Sequence, residues 1–362
     1  MNKTQNIFLT PIQFTTIMTS ALIGGAILYL PTRIAVVSKQ DSWISCLFGA
    51  LYPLYIVIIA NYMCKKFPRD NILKLSKKCF GKIFGSILNF IFISFFLFEL
   101  TAELSRFSFM YTVYSTPFLK SYQLLLVTLI PIAFISYKGI KTLGRFHEVG
   151  FVIAIFSIFL LLPVLKYGCL LNLLPVFGSG VISIIKGSKE TASSYSGMEM
   201  IFLLYPFLQD SKKLLKCGLV STAITTSIYT LIVLATIFYL GVESTQTYLW
   251  PVLSLSDSIN IPIINSFRFI FIPIWAFVII KCITTYYFAV SYSLNQSVKK
   301  ISAQKFTLLL YPFIIIISLL YKNPTTQRDY SSKLITIYVI FNLLFISAIA
   351  IIIHFKKGDN IE

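Results

Sequence analysis

The sequence predicts an all-α integral membrane protein: ten transmembrane helices in two inverted sets of five, with the first and sixth helices broken. Three observations predict it. The 362 residues are 57% hydrophobic and only 12% charged, about half the charged share of an ordinary soluble domain. Apolar runs near the ~20 residues that cross a hydrocarbon core recur along the chain. The first and sixth of these runs are interrupted, by Ile23-Gly24-Gly25-Ala26 and by Ser194-Tyr195-Ser196-Gly197-Met198-Glu199. Irregular backbone at membrane depth persists only where it is buried in protein or lines a cavity. Paired breaks at matching places in two halves of a chain point to a midplane binding site.

The spans follow in order. The first, 11–31, opens with Thr10 as cap and Pro11 at the first helical position, where its missing N–H costs nothing. The second is 42–62. The third, 83–113, is long enough to tilt or to extend beyond the bilayer. The fourth and fifth are 122–137 and 149–165, which closes a first half of 11–165. An outer loop, 166–190, leads to the second half, 191–353, with spans 191–209, 217–240, 268–297, 306–321 and 334–353, and then a tail, 354–362. A second long outer loop, 241–267, contains Trp250, Pro251 and Pro262. Both outer loops are apolar enough to lie on the bundle, as a lid or as simple cover for helix ends. Each half holds an odd number of spans, so the second inserts inverted relative to the first.

Basic residues set the orientation. Lys3, the cluster Lys65, Lys66, Arg69, Lys74, Lys77, Lys78 and Lys82, then Lys138, Lys141 and Arg145, then Lys212, Lys213 and Lys216, then Lys299, Lys300 and Lys305, and finally Lys356 and Lys357 fall on one side, against ten basic residues on the other. The positive-inside rule makes that side the cytoplasm and puts both termini there. The net charge of +18 is therefore a topology signal and an attraction to anionic lipid, and nucleic acid is not an expected partner. The first span is expected to act as its own insertion signal, because no small-residue cleavage site lies inside it. The six cysteines are scattered, without a C-x-x-C or a Cys/His cluster, so neither a disulfide framework nor a metal site is expected. His147 and His354 are read as surface residues at cytoplasmic helix ends. With no nucleophile–base pair, phosphate loop or metal cluster at membrane depth, neither an enzyme nor a cofactor is expected.

Charges inside spans are functional candidates by default. At ~1.5 Å of rise per residue, Gly24, Glu99, Glu199 and Lys281 all fall in or near the middle third of a ~30 Å core. Glu99, Glu103 and Arg106 share one face of the third span at helical spacing. Glu103 and Arg106 could form a plain ion pair near the outer interface, whereas Glu99 sits deeper and reads as a site residue. Two roles are open to Glu199: holding a ligand's ammonium, or capping the second half-helix of the broken span. Lys281 reads as a counter-ion to Glu99 or Glu199, and Thr284 and Thr285 as weak candidates for a cation site. Tyr29 and Tyr195 flank the two breaks.

Several short segments together resemble one family. They are Leu9-Thr10-Pro11-Ile12-Gln13, Ile23-Gly24-Gly25-Ala26-Ile27-Leu28-Tyr29-Leu30-Pro31, Gln40-Asp41-Ser42-Trp43-Ile44-Ser45, Asn172-Leu173-Leu174-Pro175-Val176, and Ser196-Gly197-Met198-Glu199 with Leu204-Tyr205-Pro206. In order and spacing, from about residue 7 to 355, they resemble the spore germination receptor B subunits, of the amino acid–polyamine–organocation transporter superfamily. The resemblance implies a leucine-transporter-like fold, a place in the spore inner membrane, a small germinant such as an amino acid, and partnership with an A subunit and a C-subunit lipoprotein. The chain departs from many superfamily members at Met198, where an aromatic often precedes the Glu, and in the adjacency of Gly24 and Gly25.

The expected site then takes a zwitterion. Its carboxylate meets the free N–H groups of Gly24, Gly25 and Ala26 at a positive half-helix end. Its ammonium meets Glu199 and carbonyls near Ser196 and Gly197, and Tyr29, Phe95 and Tyr195 bound the side-chain pocket. A proton- or sodium-coupled amino acid transporter using the same site, with Glu99 or Glu199 as the coupling group, is the alternative. A channel-like subunit is a third class.

Overall fold

The structure, a computed structural model, describes residues 8–259, 266–298 and 300–356. Lys3, Pro262, Lys299, Lys357 and the rest of the tail lie outside the described residues. All regular secondary structure among the described residues is helical, apart from one isolated parallel bridge between Leu9 and Leu208.

The first span is three pieces. Helix α1, Pro11–Leu22, starts on the expected cap: the Gln13 N–H donates to Thr10 Oγ1 at 3.2 Å, and the Thr10 N–H donates to Gln13 Oε1 at 3.3 Å. It stops at Leu22, a short 3-10 turn covers Gly25–Leu28, and α2, Leu30–Ser38, resumes with Pro31 in its first turn. The second span is α3, Ser42–Gly49, and α4, Leu51–Lys66. An amphipathic helix, α5, Ile72–Phe80, lies against the long third span, α6, Lys82–Tyr114, fastened by Asn89 Nδ2 donating to the Leu73 carbonyl at 2.9 Å. Helices α7, Ser121–Lys138, and α8, Ile140–Phe159, complete the first half.

The sixth span is also in pieces: α9, Val181–Ser194, a break at Tyr195–Gly197, a 3-10 turn over Met198–Met200, and α10, Ile201–Leu204. Then come α11, Leu214–Thr247, a short α12, Pro251–Asp257, in the outer loop, and α13, Arg268–Ser297, α14, Ala303–Leu319, and α15, Pro324–His354.

Seven stretches are long and apolar enough to cross a membrane on their own. The three expected spans that fall short do so for two reasons. The first and sixth are broken, and α14 has only 17 residues.

Several boundaries differ from the sequence expectation. The first span runs on to Ser38 instead of 31, the second to Lys66 instead of 62, and the tenth begins at Pro324 instead of 334. The sixth span begins at Val181, inside the segment 166–190 read as an outer loop, so its break lies mid-span instead of at its start. Lys186, Lys189 and Glu190 in this half-helix diluted its apolar signal. The fifth span begins at Ile140, nine residues before 149, and His147 is therefore inside the bundle and fully buried, with Nε2 3.0 Å from Thr285 Oγ1. His354 is exposed, as expected. Helix α11 runs on to Thr247 past a kink at Gly241, whose φ of 75° suits glycine.

The two ends of the bundle are closed by different contacts. At the basic end, the Leu9 N–H donates to the Phe207 carbonyl at 2.8 Å and Lys141 Nζ to the Phe8 carbonyl at 3.0 Å. Gln13 Nε2 donates to Glu148 Oε2 at 3.2 Å, and the Tyr205 hydroxyl bonds the Asp70 carbonyl. At the other end Asp41, fully buried, accepts from the Phe177 N–H at 2.8 Å, the Ser179 N–H at 2.9 Å and the Ser179 hydroxyl at 2.7 Å. Gln40 Nε2 adds a bond to the Pro175 carbonyl at 3.0 Å. Two of the family-like segments, Gln40-Asp41 and Asn172–Val176, thus meet in space.

Asp41→Ala leaves three donors unpartnered in a buried place, at about 1–3 kcal/mol for such a group. The purified variant is expected to melt at a lower temperature than the parent in the same detergent, whereas an exposed change such as Asp329→Ala leaves the melting temperature within error.

Candidate functional site

The breaks of the first and sixth spans face each other, and the groups freed there are taken up by named side chains. The Tyr229 hydroxyl lies 2.6 Å from the Leu22 carbonyl and 2.9 Å from the Ser194 carbonyl. The Tyr286 hydroxyl lies 2.7 Å from the Ala21 carbonyl and 3.4 Å from the Ser196 carbonyl. Each tyrosine therefore spans both breaks with one proton. On the donor side, the Gly25 N–H donates to Glu103 Oε2 at 2.9 Å and the Gly197 N–H donates to Glu199 Oε2 at 2.8 Å. Glycine is needed here for close approach. A Cβ on Gly25 would sit 2.8 Å from Glu103 Oε2. One on Gly197, at φ +112°, would sit 2.4 Å from the Tyr286 oxygen and 2.6 Å from the Ala21 carbonyl.

Between the breaks and the charged face of α6 is a cleft lined by Ala26, Tyr29, Arg33, Phe98, Glu99, Glu103, Arg106, Ser196, Tyr286 and Arg328, among others. At its floor Arg106 lies 2.7 Å from Glu103 and 3.6 Å from Glu99, and the Ser196 hydroxyl donates to Glu99 Oε1 at 3.2 Å. Glu99 and Glu103 are both buried. Two carboxylates thus share one guanidinium, whose carbon lies 5.8 Å from the Tyr29 ring centroid. The Arg33–Glu190 ion pair, 2.5 Å, ties α2 to α9 at the outer rim. A second, smaller hollow above shares Tyr29, Arg106 and Arg328 with the cleft and adds Trp250 of the outer loop. The cleft is closed tightly, with about 20 Å³ of free volume, on the order of one water. Admitting a larger molecule requires movement of the surrounding helices.

Of the residues singled out from sequence, Ala26, Tyr29, Glu99, Glu103 and Ser196 line this cleft, and Gly24, Gly25 and Gly197 shape the backbone behind it. Others are elsewhere. Glu199 is fully buried and off the cleft, its carboxylate shared by the Tyr52 hydroxyl, Asn342 Nδ2 at 3.1 Å and the Gly197 N–H, which is the capping role. Phe95 packs against Phe96 and Tyr338 one turn below the cleft floor, and Phe98 takes the lining position. The Tyr195 hydroxyl points to Thr226 Oγ1 at 3.0 Å, away from the cleft.

Lys281 is no counter-ion to Glu99 or Glu199. Its ammonium donates to Ser20 Oγ at 3.0 Å, and no carboxylate lies within 4 Å among the described residues. Thr284 bonds back to its own helix at Ile280, and Thr285 meets His147. Reading the sequence missed Tyr229, Tyr286, Tyr52, Asn342, Arg33 and Arg328. Nothing distinguishes those tyrosines among 21 in an apolar chain. Arg33 and Glu190 were visible charges but were assigned to loops.

A helix bundle in which two broken spans meet at a buried polar cleft defines the class: a membrane protein of the leucine-transporter-like fold. Its similarity to the crystal structure of MhsT in complex with L-phenylalanine bears this out, at TM-score 0.69 and 12% identity over 96% of this chain and 90% of that one. The chain belongs to the spore germination protein family, whose model matches residues 8–327. It is 27% identical to the spore germination protein YndE of Bacillus subtilis (strain 168) over 87% of this chain and 88% of that one. It is also 27% identical to the spore germination protein GerQB of Bacillus cereus over 78% of each.

Two expectations separate capping from ligand contact. Glu199→Gln exchanges one acceptor oxygen for a donor among three donors, so thermal stability of the purified protein falls by about 1–3 kcal/mol. Gly197→Ala prevents accumulation of folded protein in membranes, whereas Gly139→Ala, at φ +91° with open space around it, carries backbone strain without a clash and accumulates to a clearly higher level than Gly197→Ala.

Proposed function

We propose that the protein is the germinant-binding B subunit of a nutrient germination receptor, working with an A and a C subunit in the spore inner membrane with both termini in the cytoplasm. The observation that carries the reading is the acid-rich floor of the cleft between the two breaks, in a chain of the spore germination family. The ligand is a small amino acid. Glu99, with Ser196 beside it, holds the ammonium, because the two carboxylates there are served by a single guanidinium.

The ligand carboxylate meets a competitor. The Gly25 N–H, the donor expected to receive it, is already held by Glu103. Binding therefore exchanges Glu103 for the ligand carboxylate at Gly25 and leaves Glu103 to Arg106 and the ammonium. The exchange requires the closed cleft to widen. A ligand shifts such an equilibrium only by its differential affinity for the two arrangements, and the A subunit reads the shift.

The test is germination of spores that lack the gene, complemented with single variants and scored by loss of refractility across a panel of amino acids. The parental gene restores the response to one nutrient class. Glu99→Gln, with the protein present at parental level, raises the half-maximal germinant concentration about tenfold or more, as expected for a lost charged hydrogen bond of roughly 1.5–3 kcal/mol. An unchanged half-maximal concentration in Glu99→Gln spores rejects the ammonium site.

A further inference from the structure

A second cavity is far roomier than the cleft. It is an open groove of about 410 Å³ on the side of the bundle, between α1, α8 and α11 at the basic end, in the size range of small-molecule sites. Its walls are mostly apolar, with Ile12, Phe151, Val220 and Ile224 prominent, and Lys213 and Lys216 stand at one end. No carboxylate is in its lining. Lys213 and Lys216 are three residues apart, on one helical face, and both are exposed. Lys213 reaches only Asp210, at 3.9 Å, and Lys216 has no ion pair among the described residues.

We infer that this groove binds one anionic phospholipid, with its phosphate on Lys213 and Lys216 and an acyl chain along Ile12, Phe151, Val220 and Ile224. The geometry matches the molecule. From Lys213 to Ile224 along α11 is roughly 16 Å at 1.5 Å per residue, the scale of an acyl chain. The surfaces beside the groove are apolar and open: Ile12 is 68% exposed, Val152 66% and Val220 40%. On a helix that crosses a membrane such surfaces face hydrocarbon. Basic pockets between spans on the cytoplasmic side bind anionic headgroups; the nearest carboxylate given for these lysines, Asp210, lies 3.9 Å from Lys213 and outside the groove lining, and Lys216 has no ion pair among the described residues. One wall is α1, the inner half of the broken first span, whose far end is the Leu22 carbonyl beside the cleft. A lipid in the groove therefore braces the half-helix that ends at the proposed ligand site.

The experiment is native mass spectrometry of the full-length protein in a neutral detergent, with equal amounts of phosphatidylglycerol and phosphatidylcholine. One phosphatidylglycerol is expected to stay bound in preference to phosphatidylcholine by about tenfold, given two basic side chains at the site. The double variant Lys213→Gln with Lys216→Gln brings the two lipids to parity, and the control Lys74→Gln with Lys77→Gln keeps the preference. Val220→Trp fills the groove and reduces retention of both lipids. These variants lie on exposed positions, and an unchanged melting temperature checks that each is folded. Equal retention of the two lipids by the parent, or a preference that survives the Lys213/Lys216 change, overturns the proposal. A dimer that Val220→Trp dissociates also overturns it, by assigning the groove to a second copy of the chain.

Discussion

The structure depends on one constraint: backbone donors and acceptors freed at two helix breaks must find partners where no water supplies them. An unsatisfied peptide group away from water costs several kcal/mol. Tyr229 and Tyr286 offer hydroxyls to carbonyls of both breaks, and Glu103 and Glu199 accept the N–H groups of Gly25 and Gly197. Each partner comes from outside the break it serves, except Glu199, which folds back two residues. The breaks are therefore stable only in the assembled bundle. The same partners fix where α1, α9, α11 and α13 stand relative to one another.

That arrangement makes the cleft polar without making it wet. Glu103 has two tasks, capping Gly25 and pairing with Arg106, and Glu99 reaches both Arg106 and Ser196. A charge network of this kind costs desolvation, which its internal hydrogen bonds offset. Its groups are already oriented, so a ligand that replaces one of them exchanges contacts instead of creating a buried charge. Glu199 belongs to a separate network, with Tyr52 and Asn342, that holds the sixth span to its neighbours.

The two ends of the bundle are fastened by unlike means. The basic end uses main-chain contacts between Leu9 and Phe207 together with the Gln13–Glu148 bond. The opposite end uses Asp41 on the 177–179 turn and the Arg33–Glu190 pair. Several of these residues belong to the segments that resemble the germination family, so those segments mark joints of the fold as well as the lining of a site.

The number of spans, both breaks, the cap at Thr10 and the acidic face of α6 were legible in the sequence, because each rests on local chemistry: apolar length, glycine, a capping residue and helical spacing. Helical period alone puts Glu99, Glu103 and Arg106 on one stripe, and the structure keeps them together. What the tertiary structure decided is which partner each group meets. Residue counting gives Glu199 and Lys281 similar depths, but one caps a half-helix and the other meets Ser20, since position along a span does not give rotation about it. The half-helix Val181–Ser194 was hidden because its charged residues find partners, such as Arg33 for Glu190, only when distant parts of the chain come together. Tyr229 and Tyr286 were hidden for the same reason. A tyrosine in an apolar helix carries no local sign of the carbonyl it will meet, and the Leu22 and Ala21 carbonyls are free only because a helix 207 and 265 residues away in the chain is broken.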